Sequence, residues 1–266
     1  MLTTDVDDYP GFDSGIQGPE LMDKMRKQAE RFGTRFINED VLSVDLKSRP
    51  FTIKSESRLL KSDSLIISTG ASAMWLGLPS EQRLIGKGVS SCAVCDGFFF
   101  KGKNVVVVGG GDTAMREAAY LSKLCKKVTL VHRRDQLRAQ PALQELVKSK
   151  PSVDFIWNSV VEEVLGQDKV TGVKLKNTQS GEISTLEVDG VFIAIGHKPN
   201  TGFLKGQLPL DEKSYVVVTN ETHTKIPGVF VAGDVSDYHY RQAVTAAGAG
   251  CKAAFDAEEY LENLKA

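Results

Sequence analysis

The sequence predicts an α/β protein of two related three-layer units. Three observations carry that expectation. The valine-rich strand Asn104–Val108 runs into Gly109-Gly110-Gly111, then a helix to about Leu124 and a strand at Lys127–Val131. That order is a βαβ unit. The pattern Asp-x-Φ-Φ-Ile-x-x-Gly, with Φ apolar, occurs at Asp63–Gly70 and again at Asp189–Gly196, and such self-similarity marks a duplicated architecture. Each copy also follows a series of short strand-like segments, which reads as a β-meander.

In chain order, 18–33 (GPELMDKMRKQAERFG) reads as an amphipathic helix, with Pro19 in its first turn and Gly33 as its stop. Leu21, Met22, Met25, Ala29 and Phe32 fall on one face. TRFI (34–37), VLSVDL (41–46), PFTIK (50–54) and SLIIS (64–68) read as strands. Residues 71–91, with GLPSE and GKG, read as a linker. Beyond the βαβ unit come a helix at Pro141–Ser149 and strands near Asp154–Trp157, Val160–Leu165, Val170–Lys176 and 190–195. The tail from Arg241 to Leu264 is mostly helix. Gly109 precedes Asp189 by 80 residues, and the same offset from Asp63 falls before Met1. The first unit is therefore expected to lack its opening βαβ.

A net charge of −1 argues against nucleic acid or an anionic membrane as the main partner. The apolar runs are strand-sized, too short to span a bilayer, and MLTTDVDDYPGF has no basic–apolar start of a secretory signal. Four cysteines in 266 residues make no disulfide scaffold and suit a reducing, cytoplasmic setting. Zinc is not expected, because Cys92 and Cys95 have no second ligand pair and the four histidines are scattered. Cys125 and Cys251 lie in apolar, helical contexts and read as buried, inert thiols.

Gly109-Gly-Gly111-Asp112-Thr113-Ala114 fits the dinucleotide fingerprint where a strand meets a helix. Gly109 allows the tight turn, Gly111 the approach of a pyrophosphate, and Ala114 close helix–strand packing. Both units are therefore expected to be Rossmann-like nucleotide-binding domains. At the end of the next strand, where an acidic residue would suit NAD, the chain has His132-Arg133-Arg134 and then Arg138. Guanidinium groups there match a 2′-phosphate and select NADPH. A C-x-x-C beside a βαβ unit reads as a redox dithiol, and Asp96 follows Cys95 as a proton donor or acceptor. A hydride donor and a disulfide need a relay, usually a flavin. Gly228–Asp234 (GVFVAGD) ends a strand in Gly233-Asp234, and Arg241-Gln242-Ala243 opens a helix. An Asp so placed can bind a ribityl hydroxyl, and the helix N-terminus can face the flavin.

With these motifs in order along nearly the whole chain, the sequence resembles the low-molecular-weight, NADPH-dependent thioredoxin reductases. The matches include TGA (69–71), LGLPSE (76–81), CAVCDGFF (92–99), GGGDTA (109–114), HRRD (132–135), AIGHKPNT (194–201) and YRQAVTAAGAGC (240–251). The resemblance implies an FAD domain in two segments, 1–74 and 200–266, with the NADPH domain 75–199 between them. It implies that Cys95 faces the flavin, that Cys92 attacks the thioredoxin disulfide, and that Asp96 is the acid–base. It places Thr69, Gly70, Gly233, Asp234, Arg241, Gln242 and Ala243 at FAD. Gly109, Gly111, Asp112, Thr113, Ala114, His132, Arg133, Arg134 and Arg138 go to NADPH, and Ile195 and Gly196 are further cofactor contacts. A homodimer and a domain rotation hinged near 71–76 and 198–203 are implied as well. The competing expectation is a catalytically impaired NADPH-binding or dimerising module.

Overall fold

The computed structural model describes residues 5–266. The first four residues of the segment read above as free of a secretory signal lie outside the described residues. The chain begins with β1 (Asp5–Val6), β2 (Ile16–Gln17), α1 (Gly18–Arg31), β3 (Val41–Asp45), β4 (Phe51–Ser55), β5 (Leu59–Ser62), β6 (Leu65–Ile67) and β7 (Ala71–Ala73). It continues with α2 (Pro79–Leu84), β8 (Val89–Ser90), α3 (Ala93–Asp96), β9 (Asn104–Val108), α4 (Asp112–Leu121), β10 (Lys127–Val131) and α5 (Pro141–Lys148). Then come β11 (Val153–Ile156), β12 (Ser159–Leu165), β13 (Gly172–Asn177), β14 (Ile183–Glu187), β15 (Gly190–Ile193), β16 (His197–Pro199), β17 (Val229–Val231) and α6 (Ala243–Asn263).

These elements form two compact units. One comprises residues 5–8, 14–22 and 73–196; the other comprises 9–13, 23–72 and 197–266. The first is organised by a five-stranded parallel sheet in the order β11-β10-β9-β15-β8. Its strands are buried on both faces, so they read as continuous valine runs rather than alternating ones. Val105 and Val107 enter a core with Met115, Ala118 and Leu121 of α4 and Val147 of α5. Val106 and Val108 point the other way, into a core with Val161, Val164, Val173 and Leu175 of the β12-β13-β14 meander and Leu84 of α2. The result is three layers: helices, parallel sheet, meander.

The second unit follows the same plan with a thinner centre. β6 and β17 form a two-stranded parallel ladder. Ile67, Val229 and Val231 pack with Val44, Phe51 and Ile53 of the β3-β4-β5 meander. Phe230 and Ala232, of opposite parity, meet Ala253 and Ala257 of α6. β6 and β15 are the strands of the repeated Asp-x-Φ-Φ-Ile-x-x-Gly pattern, and each follows a meander into a parallel ladder.

Several expectations are corrected. Residues 34–37 form no strand: among the described residues no strand pairs with them, and Phe36 instead lies under the Arg26 guanidinium at 4.4 Å. The stretch 71–91 is not an unstructured linker, since it holds β7, α2 and β8. Pro79 starts α2, and the fully buried Glu81 carboxylate accepts the N–H groups of Leu76 and Gly77, both at 2.9 Å. The apolar face expected for 18–33 is covered unevenly: Leu21 is buried, Met25 and Ala29 are half-buried, and Met22 and Phe32 are exposed. Cys251 is exposed, whereas Cys125 is buried as expected.

Candidate functional site

In the first unit the edge strand β8 delivers the chain to Cys92, which caps α3. Cys92 and Cys95 are joined by a disulfide. The Cys92 sulfur accepts the backbone N–H of Cys95 at 3.2 Å. A C-x-x-C reaches this geometry because one helical turn brings the two side chains to the same end of the helix. Asp96, the last residue of α3, accepts a hydrogen bond from the Ser90 hydroxyl at 2.5 Å. A pocket of about 310 Å³ opens beside this group, lined by Ser90, Cys92, Asp96, Trp75, Lys87 and Phe99 among others. Cys95 is not part of its wall. Val94, Phe98 and Phe99 flank the disulfide with 50%, 65% and 44% of their surfaces exposed.

Across the same unit, β9 ends at the glycine turn. A Cβ on Gly109 would overlap the Ala194 carbonyl and lie 2.8 Å from the Ala114 methyl, so the turn requires glycine. Gly111 has open space where its Cβ would be and caps α4 without a side-chain hydrogen bond. The first N–H groups of α4 thus start beside open space, where a helix N-terminus suits a pyrophosphate. The Asp112 carboxylate is used locally, accepting the Gln140 N–H at 2.8 Å, and Thr113 is half-buried. Arg138 is tied to the turn by its N–H to the Gly110 carbonyl at 2.8 Å. Arg133, Arg134 and Arg138 are exposed, and none forms an ion pair among the described residues. These features fit a phosphorylated dinucleotide. His132 sits differently from its arginine neighbours. Its ring is buried beneath Gly110 and hydrogen-bonded to the Gln136 carbonyl at 3.0 Å. Burial, first, lowers its pKa, so it supports the turn from below as a neutral ring.

In the second unit, Gly233 follows β17 with a φ of +73° and opens a short 3₁₀ turn over 233–235. A Cβ there would come within 3.3 Å of Ala246 on α6. Asp234 is half-buried, and its carboxylate has no hydrogen-bond partner among the described residues. Burial, then Asp237, raises its pKa, against the pull of Arg241. Gln242 caps α6, which starts at Ala243. This open carboxylate beside a helix N-terminus fits the hydroxyl-bearing, flavin side of FAD. The ADP side finds no counterpart among the described residues of this unit, where no glycine-rich turn joins a parallel strand to a helix.

Arg241 has a positive φ of 51°, and its guanidinium donates to the His197 Nδ1. Burial, first, and then the Arg241 charge push the His197 pKa down to about 4. Thr69 and Gly70 are bound to Asn200: Asn200 Nδ2 donates to the Thr69 carbonyl and Asn200 N–H to the Gly70 carbonyl, both at 2.9 Å. Ile195 packs into the meander-side core of the first unit, and the Gly196 carbonyl accepts the Met74 N–H at 2.9 Å. Sequence reasoning missed Ser90, Glu81, His197 and Asn200. For Ser90 the signal was present: a hydroxyl two residues before a helix-capping cysteine is well placed to bond its backbone. His197 and Asn200 carry no such local signal.

The chain is similar to known proteins over nearly its whole length. The family model for pyridine nucleotide-disulphide oxidoreductases matches residues 1–250. A thioredoxin reductase of Coxiella burnetii is 54% identical over 99% of this chain and 85% of its own length. One from Streptomyces coelicolor is 53% identical over 99% and 83%. Among solved structures, a thioredoxin reductase from Giardia duodenalis superposes with a TM-score of 0.94 at 45% identity, covering 98% of this chain and 86% of its own.

Proposed function

The chain belongs to the pyridine nucleotide-disulphide oxidoreductases and, within them, to the thioredoxin reductases, and from that premise we propose that its Cys92–Cys95 pair passes electrons from NADPH and FAD to the disulfide of a thioredoxin. The observation that carries this reading is the closed Cys92–Cys95 bond capping α3 with Asp96 beside it and Cys92 alone of the pair on the pocket wall. When bound, NADPH supplies a hydride and FAD relays its two electrons in a form that can open a disulfide.

The residues of the chain then divide the work. Arg133, Arg134 and Arg138 hold the 2′-phosphate, and Gly109, Gly111 and the start of α4, with Asp112, Thr113 and Ala114, hold the pyrophosphate. Asp234, Gly233, Arg241, Gln242 and Ala243, with Thr69 and Gly70, hold the flavin side of FAD. In the reduced pair, Cys92 gives its proton to Asp96 and attacks one sulfur of the partner disulfide. A Cys92 mixed disulfide forms, and the leaving thiolate takes that proton. Cys95 then attacks Cys92, closing the original bond and releasing the second partner thiol, which takes the Cys95 proton. The exposed Val94, Phe98 and Phe99 offer the apolar surface on which such a partner can dock. The functional domains are 75–199 for NADPH and 1–74 with 200–266 for FAD, in a cytoplasmic homodimer.

Two measurements test this. Replacing Arg133 and Arg134 by Ala should raise the NADPH dissociation constant about 10²-fold or more, since hydrogen bonds to charged groups contribute about 1.5–3 kcal/mol each, and should leave NADH binding nearly unchanged. Equal losses for both nucleotides would refute the assignment. Cys95→Ser should accumulate a mixed disulfide through Cys92 with a thioredoxin lacking its resolving cysteine, read by mass spectrometry. A trap through Cys95 in Cys92→Ser instead would reverse the two roles.

One observation favours a second reading, a non-catalytic NADPH-binding or dimerising module. The second unit has only two parallel strands among the described residues and no ADP cradle. Flavin per chain after gel filtration decides: near-stoichiometric FAD removes this reading, and a colourless, NADPH-binding chain favours it.

A further inference from the structure

We propose that Ser90 is a positioning residue for the dithiol chemistry: its hydroxyl is a rotor that keeps the Asp96 carboxyl aimed while that group takes up and returns a proton. This rests on the reading of Asp96 as the acid–base. Ser90 lies at the end of β8 and is 6% exposed. Its position is set by the sheet, opposite the fully buried Phe192 of β15. α3 is only four residues long, too short to hold its own geometry, and Ser90 ties both ends of it. The Cys92 N–H donates to the Ser90 Oγ at 3.0 Å, and the Ser90 hydroxyl donates to Asp96 Oδ2 at 2.5 Å.

A hydroxyl has one proton to give and two lone pairs. While Asp96 is ionised, the short contact takes that proton, in the range of charge-assisted O–H···O⁻ bonds. The other acceptor in reach is the Cys92 carbonyl at 3.3 Å. When Asp96 gains a proton, the Ser90 hydrogen can turn to that carbonyl, and Oγ can accept from the new carboxylic acid. The Ser90–Asp96 bond thus survives in both protonation states, and the Cys92 N–H stays bonded throughout. In the exchange, the reduced Cys92/Cys95 pair and a disulfide RSSR become the closed Cys92–Cys95 bond and two RSH. Asp96 receives the Cys92 proton before the attack and returns it to the first leaving RS⁻. Ser90 loses and gains no electrons and no net proton.

The test needs no flavin. The chain is reduced with a dithiol and desalted, and its reaction with bis(2-hydroxyethyl) disulfide is followed by stopped flow and mass spectrometry. Asp96→Asn should slow exchange about 10²-fold, a general acid–base effect. Ser90→Ala should slow it about 10-fold or more, the weight of one hydrogen bond to a charged group, and Ser90→Thr should restore most of the rate. In the Asp96→Asn background, Ser90→Ala should change the rate less than about twofold, because a residue that acts through another shows no independent effect. NADPH affinity of the same unit reports that each variant has folded, and Ser90→Gly substitutes for Ser90→Ala should that affinity be lost. Equal slowing by the serine replacement in both backgrounds overturns the proposal, as does exchange at the unaltered rate in Ser90→Ala. Asp96→Asn at the unaltered rate overturns the acid–base reading and this proposal with it.

Discussion

The two units share one plan carried to different depths. In the first, five parallel strands are sealed on both faces, and Val105, Val106 and Val107 have no exposed surface. In the second, two parallel strands serve the same purpose, and Ile66 keeps 37% of its surface exposed. The first unit therefore holds its glycine turn by packing, with Gly109 closed in by Ala194 and Ala114. The second leans on polar ties between segments far apart in sequence: Asn200 to Thr69 and Gly70, Arg241 to His197, and Thr222 to Asp256. Glu39 adds another, binding Ser55, Ser57 and Arg58. Packing is insensitive to pH, whereas the ties through His197 and Glu39 titrate, so the two units are expected to fail under different perturbations.

The largest expected effect strikes the packed unit at adjacent glycines. A methyl on Gly110 would fall inside the buried His132 ring, which is fixed by the Gln136 carbonyl. Gly110→Ala is expected to cost about 1–3 kcal/mol, as overpacking does, and to lower the melting temperature. A methyl on Gly111 meets nothing within 4 Å. Gly111→Ala should melt with the unaltered chain yet bind NADPH about 10-fold more weakly, because the methyl occupies ligand space. Calorimetry and nucleotide titration on the two variants separate stability from binding. If both variants lose stability alike, the cradle at Gly111 is not open.

Smaller, and aimed at the tied unit, is the acid response. His197 has its pKa pushed to about 4 from 6.5. Between those values the unfolded chain binds more protons than the folded one, so stability is whole above about pH 6.5 and is lost as pH falls toward 4. Glu39, held down to about 2 from 4.5 first by Ser55 and then by Ser57, contributes its loss lower, as pH falls from about 4.5 toward 2. Urea midpoints from pH 7 to 5, read by hydrogen exchange at β6 and β17, should therefore fall for the unaltered chain and fall less for His197→Gln. An unchanged slope in that variant assigns the acid response elsewhere.

The same contrast explains what could be read beforehand. Cys92–Asp96 and Gly109–Ala114 are contiguous, and their chemistry is written in adjacent residues. The valine runs betray a doubly covered sheet for the same reason. α2 escaped because six residues show no helical period, and its buried Glu81 finds its partners in the preceding loop rather than in a pattern. TRFI has strand propensity, but a strand exists only with a partner, and none is present for it. The ties of the second unit were invisible because they join positions 44 and 131 residues apart. Spacing alone cannot distinguish such partners from other polar residues.

The smallest expected effect compares one thiol from each unit. Cys125 and Cys251 each follow an apolar, helix-like run of sequence, so local pattern treats them alike. Their packing does not. Cys125 lies within the helix-side core of the first unit, 7% exposed, and burial pushes its pKa up to about 11. Cys251 is exposed on α6, on the side away from Ala253 and Ala257, which face β17. The thiolate is the reactive form, so Cys125 is disfavoured both by its burial and by its raised pKa. With Cys92 and Cys95 closed in their disulfide, brief iodoacetamide treatment at pH 8 should modify Cys251 and spare Cys125, and modify both after unfolding, as read from peptide masses. Labelling of Cys125 in the native state would mean that the sealed core opens, and the contrast between the units would fail. Protection of Cys251 that disappears on dilution would show that a second copy covers this face of α6. The sparse second unit would then complete its packing by association.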